Sequence, residues 1–247
     1  MHARFYAPDA HVVGDLVTLA PDEARHLTTV LRLSAGDTVR VFNGRGGQFE
    51  GRVETVGRVA VHVRLGAAVG AAPEARVAVI LAQAVLKGDK MDAVVRDAVM
   101  IGVAAIQPIV TDHVEVSLPV LERSHRRERW ERIAVASTKQ CGRAVLPPVL
   151  APVSLDTLCR GLTAGTSGPA LMLVEPGVVL AAEPLGNLDG TPPAHATILV
   201  GPEGGWSSAD LAAAVGCRCV SLGPRTLRAD AMALVAVAAL FARWNEF

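Results

Sequence analysis

The chain has 247 residues, of which 51% are hydrophobic, 19% charged and only 4% aromatic, and its formal net charge at pH 7 is zero. This composition is typical of a folded globular protein and excludes a disordered one. No apolar stretch reaches the roughly 18 residues that a membrane span needs, and the first residues lack the apolar core of a signal peptide. We therefore expect a cytoplasmic protein.

The four cysteines are scattered along the sequence. Cys217 and Cys219 are separated by a single residue, which is the wrong spacing for a zinc knuckle. We therefore expect reduced thiols and no metal site.

The charge is unevenly distributed although its sum is zero. Between Glu122 and Arg143, seven cations stand against three acids, and residues 1–70 hold eight arginines and no lysine. Arginine suits bidentate contact with phosphate and stacking on bases, so a local basic face can bind RNA on a neutral chain. A solvated helix surface would carry the same charges, and the pattern alone leaves both interpretations open.

The first 70 residues predict β structure with one helix. Pro21–Leu27 has acids in its first turn, which favours a helix. The whole segment predicts a small β-barrel with one helix, and the small residues of Gly66–Glu74 indicate a linker after it. Runs that alternate or are rich in branched residues predict strands at Val12–Leu19, Thr38–Phe42, Gln48–Glu54 and Val59–Leu65.

Beyond residue 74 the hydrophobic pattern changes. Apolar runs without polar alternation now alternate with helical patterns, which predicts an α/β domain with a parallel sheet covered on both faces. The predicted strands are Val77–Gln83, Ala104–Val110, Ala170–Val174, Thr197–Val200 and Arg218–Leu222. The predicted helices are Asp89–Ile101, Glu122–Lys139 and Asp230–Trp244.

Three loops that follow predicted strands lie in the last third of the chain, at Val174–Gly177, Val200–Gly205 and Leu222–Arg228. Ligands of open α/β sheets bind where strands end, so these loops predict a binding site. Glycines in the middle loop let a ligand approach the backbone, and Ser207–Asp210 has the form of a capping box that starts a helix. The usual dinucleotide, phosphate-loop and serine-hydrolase motifs are absent from the sequence.

The segments Leu199–Gly205 (LVGPEGG) and Leu222–Arg228 (LGPRTLR) resemble the C-terminal signature of the 16S rRNA uridine-N3 methyltransferase family. That family belongs to the SPOUT, or α/β-knot, superfamily. Further motifs resemble the family in the same order, so the resemblance covers essentially the whole chain. They are Arg25–Leu27 with Val30–Arg32 and Gly36–Asp37, Lys87–Asp92 with Gly102–Val103, and Gln140–Arg143 with Pro147 and Val149.

This resemblance implies an α/β fold in which a small PUA-like β-barrel, residues 1–70, holds RNA and precedes a trefoil-knot methyltransferase domain, residues 74–247. It implies S-adenosylmethionine as the cofactor and 16S rRNA in the small ribosomal subunit as the substrate. It also implies a homodimer in which the partner subunit completes each active site, with no metal.

The resemblance also implies roles for individual residues. Arg228 is expected to stabilise the negative charge that develops on the uridine, with a phosphate anchor as the alternative, and Glu203 or Asp230 to accept the N3 proton. The expected cofactor-binding residues are Glu175, Leu199, Gly201, Pro202, Gly204, Gly205, Leu222, Gly223 and Leu227. The expected RNA-binding residues are Arg4, Arg25, His26, Arg32, Lys87, Lys90 and Arg143.

Two other functions are considered beside this one. Departures from the family pattern at Val99, Lys139 and Ala231 favour an RNA-binding protein that has lost its chemistry. A knotted methyltransferase that acts on a ribose 2′-hydroxyl or on a different base is the second alternative. The paired late loops favour transfer to N3, and the segment Gln140–Arg143 favours it over transfer to the ribose.

Overall fold

In the computed structural model the chain divides into two compact units. The first consists of Met1–Glu74 together with Val135–Leu146, and the second of Ala75–Ala134 together with Pro147–Phe247. No helix in the part of the chain that the structure describes is long and apolar enough to cross a membrane. The described residues are 3–58, 60–163, 168–178 and 182–247.

The first unit is built on a five-stranded sheet with the order β1-β3-β4-β5-β2, in which β1 and β3 run parallel and the other pairs antiparallel. Phe5, Val39, Val41 and Val63 are fully buried in its core, while polar residues alternate with them along the strands. This alternation is expected of a sheet with one covered face. The strands are Arg4–Tyr6 (β1), Leu16–Thr18 (β2), Thr38–Phe42 (β3), Gln48–Val56 (β4) and Val61–Ala68 (β5).

The predicted strands of this unit are largely confirmed, with two corrections. The strand predicted at Val12–Leu19 is shorter, because the Val12 N–H is bonded to the Asp15 carboxylate in a turn and Gly14 has φ of +93°. At the other end, β5 runs into the segment predicted as a linker, and Ala72 donates its N–H to the Gly142 carbonyl at 3.0 Å. Val59, the predicted start of that strand, lies outside the described residues.

The helical segment of the first unit has two unusual backbone features. Pro21–Arg25 (α1) continues into a π-helical turn at His26–Val30, closed by a 3.0 Å hydrogen bond from the Leu31 N–H to the His26 carbonyl. Arg32 follows with φ of +55°, a left-handed conformation that costs a residue with a side chain about 1–2 kcal/mol.

The second unit contains a seven-stranded parallel sheet with the order β10-β12-β9-β11-β6-β7-β8, so the predicted α/β class is confirmed. Its strands are Ala78–Ala84 (β6), Ala105–Val110 (β7), Val153–Ser154 (β8), Ala170–Leu173 (β9), Glu183–Pro184 (β10), His195–Val200 (β11) and Arg218–Ser221 (β12). Its helices are Lys90–Ile101 (α2), Leu118–Glu122 (α3), Arg126–Cys141 (α4), Leu155–Thr163 (α5), Ser208–Ala213 (α6) and Ala229–Arg243 (α7), and α4 runs on into residues of the first unit.

The register of the central strands places the late loops at one edge of the sheet. Val200 pairs with Leu173 of β9 on one side and with Gln83 of β6 on the other, and Val220 of β12 also pairs with Leu173. Because all four strands are parallel, the loops that follow them leave the sheet together.

The single helix predicted at Glu122–Lys139 is wrong at its beginning, because α3 and α4 are separate helices. The Ser124 hydroxyl donates to the Leu121 carbonyl at 2.7 Å and accepts from the Arg126 N–H at 3.4 Å. Such side-chain hydrogen bonds compete with the helical ladder and are typical of helix ends.

Candidate functional site

The loops after β9, β11 and β12 enclose a cavity of about 290 Å³ in the second unit. Its walls combine the apolar side chains of Leu173, Val200, Leu227 and Met232 with the Trp206 indole. Its charged lining residues are Lys90, Glu175, Glu203, Arg228 and Asp230.

The glycines of the middle loop are required by the packing of the protein itself. A Cβ atom on Gly201 would lie 3.1 Å from the Trp206 ring, and one on Gly204 would lie 3.0 Å from His113 Cβ. Gly205 has φ of +69°, which only glycine adopts without cost. The loop therefore fits closely between Trp206, whose Nε1 donates to the Leu173 carbonyl at 2.7 Å, and His113.

The predicted capping box is confirmed. The Ser207 hydroxyl accepts from the Asp210 N–H at 3.0 Å, and the Asp210 carboxylate accepts from the Ser207 N–H at 2.9 Å. This reciprocal pair ends the glycine loop at a fixed point and starts α6.

Glu203 is held by two donors from the segment around the start of α2. Its Oε1 accepts from Lys90 Nζ at 2.8 Å and from the Lys87 N–H at 3.2 Å. Burial alone would raise the pKa of this carboxyl, but the hydrogen bond from Lys90, the backbone donors and the Lys90 charge together hold it below its ordinary value. Glu203 is therefore ionised at neutral pH.

Arg228 and Asp230 form a two-point ion pair at the cavity. Arg228 Nε and Nη2 each donate to a carboxylate oxygen of Asp230 at 3.0 Å. The hydrogen bonds and charge of Asp230 raise the pKa of Arg228, and those of Arg228 hold the pKa of Asp230 below its usual value. The Arg228 side chain remains 73% exposed, so it presents a fixed positive charge that a further anionic group can still reach.

The lining of this cavity fits S-adenosylmethionine. Flat apolar surfaces suit an adenine ring, and the Glu175 carboxylate suits amino and hydroxyl groups of the rest of the molecule. Among the described residues there is no group of His, Cys, Asp or Glu side chains that could hold a metal ion.

Most of the residues predicted for catalysis and cofactor binding line this cavity, and the others do not. Glu203, Arg228 and Asp230 all line it, as do five of the predicted cofactor residues, namely Glu175, Gly201, Pro202, Gly205 and Leu227. The remaining four, Leu199, Gly204, Leu222 and Gly223, are not among its lining residues. Sequence reasoning did not select Leu173, Val200, Trp206, Thr226 and Met232, although Trp206 directly follows the glycine loop.

The residues predicted to bind RNA differ in exposure. Lys90 lines the cavity, and Arg25 and Arg32 are exposed. His26 is half-buried, with its ring centroid 6.2 Å from that of Phe5. Lys87 forms an exposed ion pair with Glu115 at 2.5 Å.

Arg4 and Arg143 make internal contacts in the first unit. The Arg4 guanidinium donates to the carbonyls of Thr138, Lys139 and Arg143 at 2.6 to 2.8 Å and to the Gln48 side chain at 3.0 Å. Arg143 is 4% exposed and ion-paired with Glu74.

The basic run between Glu122 and Arg143 is partly neutralised by ion pairs within each unit. The pairs are Arg127 with Glu131, Arg129 with Asp92, Lys139 with Glu23, and Arg143 with Glu74.

Comparison with known proteins shows what the chain is similar to. A family described as RNA methyltransferase domain matches residues 73–241, and one described as RNA methyltransferase PUA domain matches residues 19–66. Ribosomal RNA small subunit methyltransferase E from Synechocystis is 31% identical over 243 residues, which cover 96% of this chain and 77% of that protein.

Two solved structures resemble the chain along its whole length. A putative methyltransferase from Legionella pneumophila, in complex with S-adenosylmethionine, has a TM-score of 0.89 and 30% identity, and the match covers 98% of both chains. Ribosomal RNA small subunit methyltransferase E from Neisseria gonorrhoeae, bound to S-adenosylmethionine, has a TM-score of 0.86 and 28% identity, covering 99% of this chain and 98% of that one.

These matches confirm the predicted fold class, a PUA-like β unit with a knotted α/β methyltransferase unit of the SPOUT type. They also span both the glycine loop and the Arg228 loop, the two segments that carried the resemblance in the sequence. The chain belongs to the family of RNA methyltransferases that includes ribosomal RNA small subunit methyltransferase E.

Proposed function

We propose that this protein transfers a methyl group from S-adenosylmethionine to N3 of a uridine in the 16S rRNA of the small ribosomal subunit, in the cytoplasm. The observation that carries the proposal is that Glu203, Arg228, Asp230 and Lys90 line one cavity together with apolar side chains and the Trp206 indole. When bound, S-adenosylmethionine supplies an activated methyl group, and the protein needs no metal for this chemistry.

Glu203 is proposed to accept the N3 proton. A uridine N3 carries a proton and is a poor nucleophile until that proton leaves. Glu203 is ionised and fixed by Lys90 and the Lys87 N–H, so it offers an acceptor of fixed position. Asp230 is already engaged on both oxygens by Arg228, which makes it the weaker candidate.

Arg228 is proposed to stabilise the negative charge that develops on the base as the proton leaves. Its guanidinium is oriented by the two hydrogen bonds to Asp230 and keeps most of its surface exposed. A preorganised cation at such a position stabilises the transition state more than the ground state. Asp230 then acts as the positioning residue for Arg228.

We propose that residues 1–70 hold the RNA and that residues 74–247 carry the transfer reaction. In the first unit, exposed Arg25 and Arg32 are the proposed phosphate contacts, with His26 between them. In the second unit, Lys90 and Lys87 are proposed to lie next to the bound nucleotide because both contact Glu203.

The binding-only alternative finds little support in the positions of the departures from the family pattern. Val99 is fully buried in α2, and Lys139 is paired with Glu23 at 2.8 Å within the first unit. Ala231 is exposed in the first turn of α7 and is not among the residues that line the cavity.

We also propose that the protein is a homodimer that associates through α7. Along this helix, Met232, Ala236 and Leu240 are buried, whereas Leu234 and Val235 are 39% and 41% exposed. An uncharged apolar helix face of this kind is typical of a covered interface. Leu234→Glu is expected to shift the protein to the monomer in size-exclusion chromatography with light scattering, and Val215→Glu, at an exposed site outside α7, to leave the mass unchanged.

The proposed function is tested with small ribosomal subunits from a strain that lacks this methylation. After incubation with the protein and S-adenosylmethionine, the RNA is digested and its nucleosides are identified by mass spectrometry. N3-methyluridine is the expected product. A 2′-O-methylated nucleoside would move the target atom to the ribose, and no product together with no thermal stabilisation by S-adenosylmethionine would indicate a binding-only protein.

A further inference from the structure

A second cavity of about 350 Å³ lies next to the first within the same unit. It is lined by the segment that follows β6, by the segment before and within α3, and by Arg126 at the start of α4. Glu203 lines both cavities. The carboxylate proposed to accept the N3 proton therefore faces the proposed cofactor site on one side and this second space on the other.

The lining of the second cavity combines apolar and hydrogen-bonding groups. Val85 and Leu86 are buried apolar residues, and Val120 is 51% exposed. His113 Nδ1 lies 3.0 Å from the Gly205 carbonyl, which can only accept, so the ring donates there. In the neutral ring Nε2 is then an acceptor. The hydrogen bond of His113 thus connects the lining of the second cavity to the glycine loop that lines the first.

The cations of the second cavity are not equivalent. Lys87 is paired with Glu115 at 2.5 Å. Arg126 is exposed, and within the described part of the chain no carboxylate forms an ion pair with its guanidinium. An arginine in this state is suited to bidentate contact with a phosphate group.

We infer that the second cavity receives the target uridine nucleotide, with its base directed towards Glu203 and its phosphate on Arg126; this inference rests on the proposed function. A base inside folded RNA must leave its stack before an enzyme can reach its ring atoms, so a separate pocket beside the cofactor is required. The apolar wall of Val85, Leu86 and Val120 suits a pyrimidine face, and Glu203 at the shared wall meets the N3–H edge.

The first test fills the cavity without touching the catalytic groups. Val120→Trp places a large side chain at an exposed position that lines the second cavity, and Val215→Trp adds the same side chain at a site that is 69% exposed and lines neither cavity. Val120→Trp is expected to lower kcat/KM for RNA at least tenfold, since a blocked pocket excludes the base, with S-adenosylmethionine affinity unchanged. Val215→Trp is expected to behave like wild type.

The second test removes the proposed phosphate contact. Arg126→Ala is expected to raise KM for the RNA about tenfold with little change in kcat, because a lost charge-assisted hydrogen bond weakens binding by that order. Arg123→Ala is the matched control, because Arg123 is also exposed but does not line this cavity. Equal effects of the two substitutions would contradict the assignment of Arg126.

A readout independent of methyl transfer separates this inference from the proposed function. Small-subunit RNA that contains 4-thiouridine is crosslinked to the protein by light, and the crosslinked peptides are identified by mass spectrometry. A crosslink within residues 113–126 that Val120→Trp abolishes and Val215→Trp preserves is expected.

The outcomes of these experiments are distinguishable. Suppose that the wild-type protein forms N3-methyluridine and that Val120→Trp crosslinks and reacts normally. This result would overturn the assignment of the second cavity as the nucleotide pocket and leave the proposed function standing. A crosslink within residues 113–126 without N3-methyluridine would overturn the proposed function and retain the nucleotide pocket.

Discussion

The two units of this protein use arginine in different ways. In the first unit, Arg4 was expected to contact RNA, but its guanidinium is satisfied by three backbone carbonyls and Gln48. In the second unit, Arg228 has one carboxylate partner and remains 73% exposed. Both residues are arginines, so residue type alone does not separate a structural arginine from one that can meet a ligand. The partners of the guanidinium and its exposure make that distinction.

The same contrast holds for the lysine ion pairs. The Lys139–Glu23 pair of the first unit is largely buried, with 17% and 12% of the side chains exposed. The Lys90–Glu203 pair of the second unit lies on a cavity wall, with 34% and 24% exposed. A buried pair fixes the packing of its unit, whereas a pair at a cavity can also position a reactive carboxylate.

The largest effect is expected at Arg228, the exposed arginine that is proposed to stabilise charge on the base. Arg228→Ala is expected to lower kcat about 100-fold to 1,000-fold while the affinity for S-adenosylmethionine stays the same, because only the transition state loses its cation. Single-turnover kinetics and calorimetry measure the two quantities. Arg225→Ala is the control, since Arg225 lies exposed in the same loop and does not line the cavity; equal rates for the two variants would remove Arg228 from the mechanism.

Glu203→Gln is expected to lower kcat about 100-fold, the usual contribution of a positioned acceptor. Because the pKa of Glu203 is held below its ordinary 4.5, the carboxylate stays ionised above that value, and its contribution to stability is lost only as pH falls through the lowered pKa. The factor between wild type and Glu203→Gln is therefore expected to be constant from pH 6 to 8. If the two rates became equal towards pH 6, Glu203 would be titrating in that range, which would contradict this assignment.

For the first unit the expected loss is one of stability. Arg4→Ala removes the guanidinium that donates to the carbonyls of Thr138, Lys139 and Arg143, and is expected to lower the free energy of unfolding by about 2–4 kcal/mol. Urea denaturation measures this change. Exposed Arg25→Ala is expected to change it by less than about 0.5 kcal/mol, so comparable losses in both variants would contradict a structural role specific to Arg4.

The smallest effect is expected at Arg32. Since its left-handed backbone suits glycine, Arg32→Gly is expected to be slightly more stable than Arg32→Ala, by about 1 kcal/mol.

If Arg32 binds phosphate, both variants bind small-subunit RNA a few-fold more weakly and with a shallower salt dependence than wild type. Filter-binding titrations at several salt concentrations test this, and unchanged affinity in both variants would exclude Arg32 from the RNA contacts.

Much of the fold could be predicted from local pattern. The strand Thr38–Phe42 has its predicted bounds, and the capping box at Ser207 starts a helix as expected, because both depend on neighbouring residues. The break between α3 and α4 was missed because a single side chain, Ser124, bonds the backbone there.

The contacts that decide function depend on residues distant in the sequence. The partners of Arg4 and Arg143 are carbonyls and a carboxylate more than sixty residues away in the sequence, and no local pattern reveals such partners. His113 was not among the predicted site residues, and its place beside the site follows from its contacts with Gly204 and Gly205, which are distant in the sequence. The glycine loop itself could be predicted because its glycines lie close together in the sequence and follow a strand, a pattern that local reasoning recognises.

The most direct test of the account is complementation in a strain that lacks the 16S rRNA methylation. The strain would express wild type, Arg228→Ala or Arg225→Ala at equal protein levels, and N3-methyluridine in its 16S rRNA would be quantified by mass spectrometry. We expect wild type and Arg225→Ala to restore the modified nucleoside and Arg228→Ala to restore none. Full restoration by Arg228→Ala, or none by wild type, would contradict the claim that this cavity carries out N3 methylation.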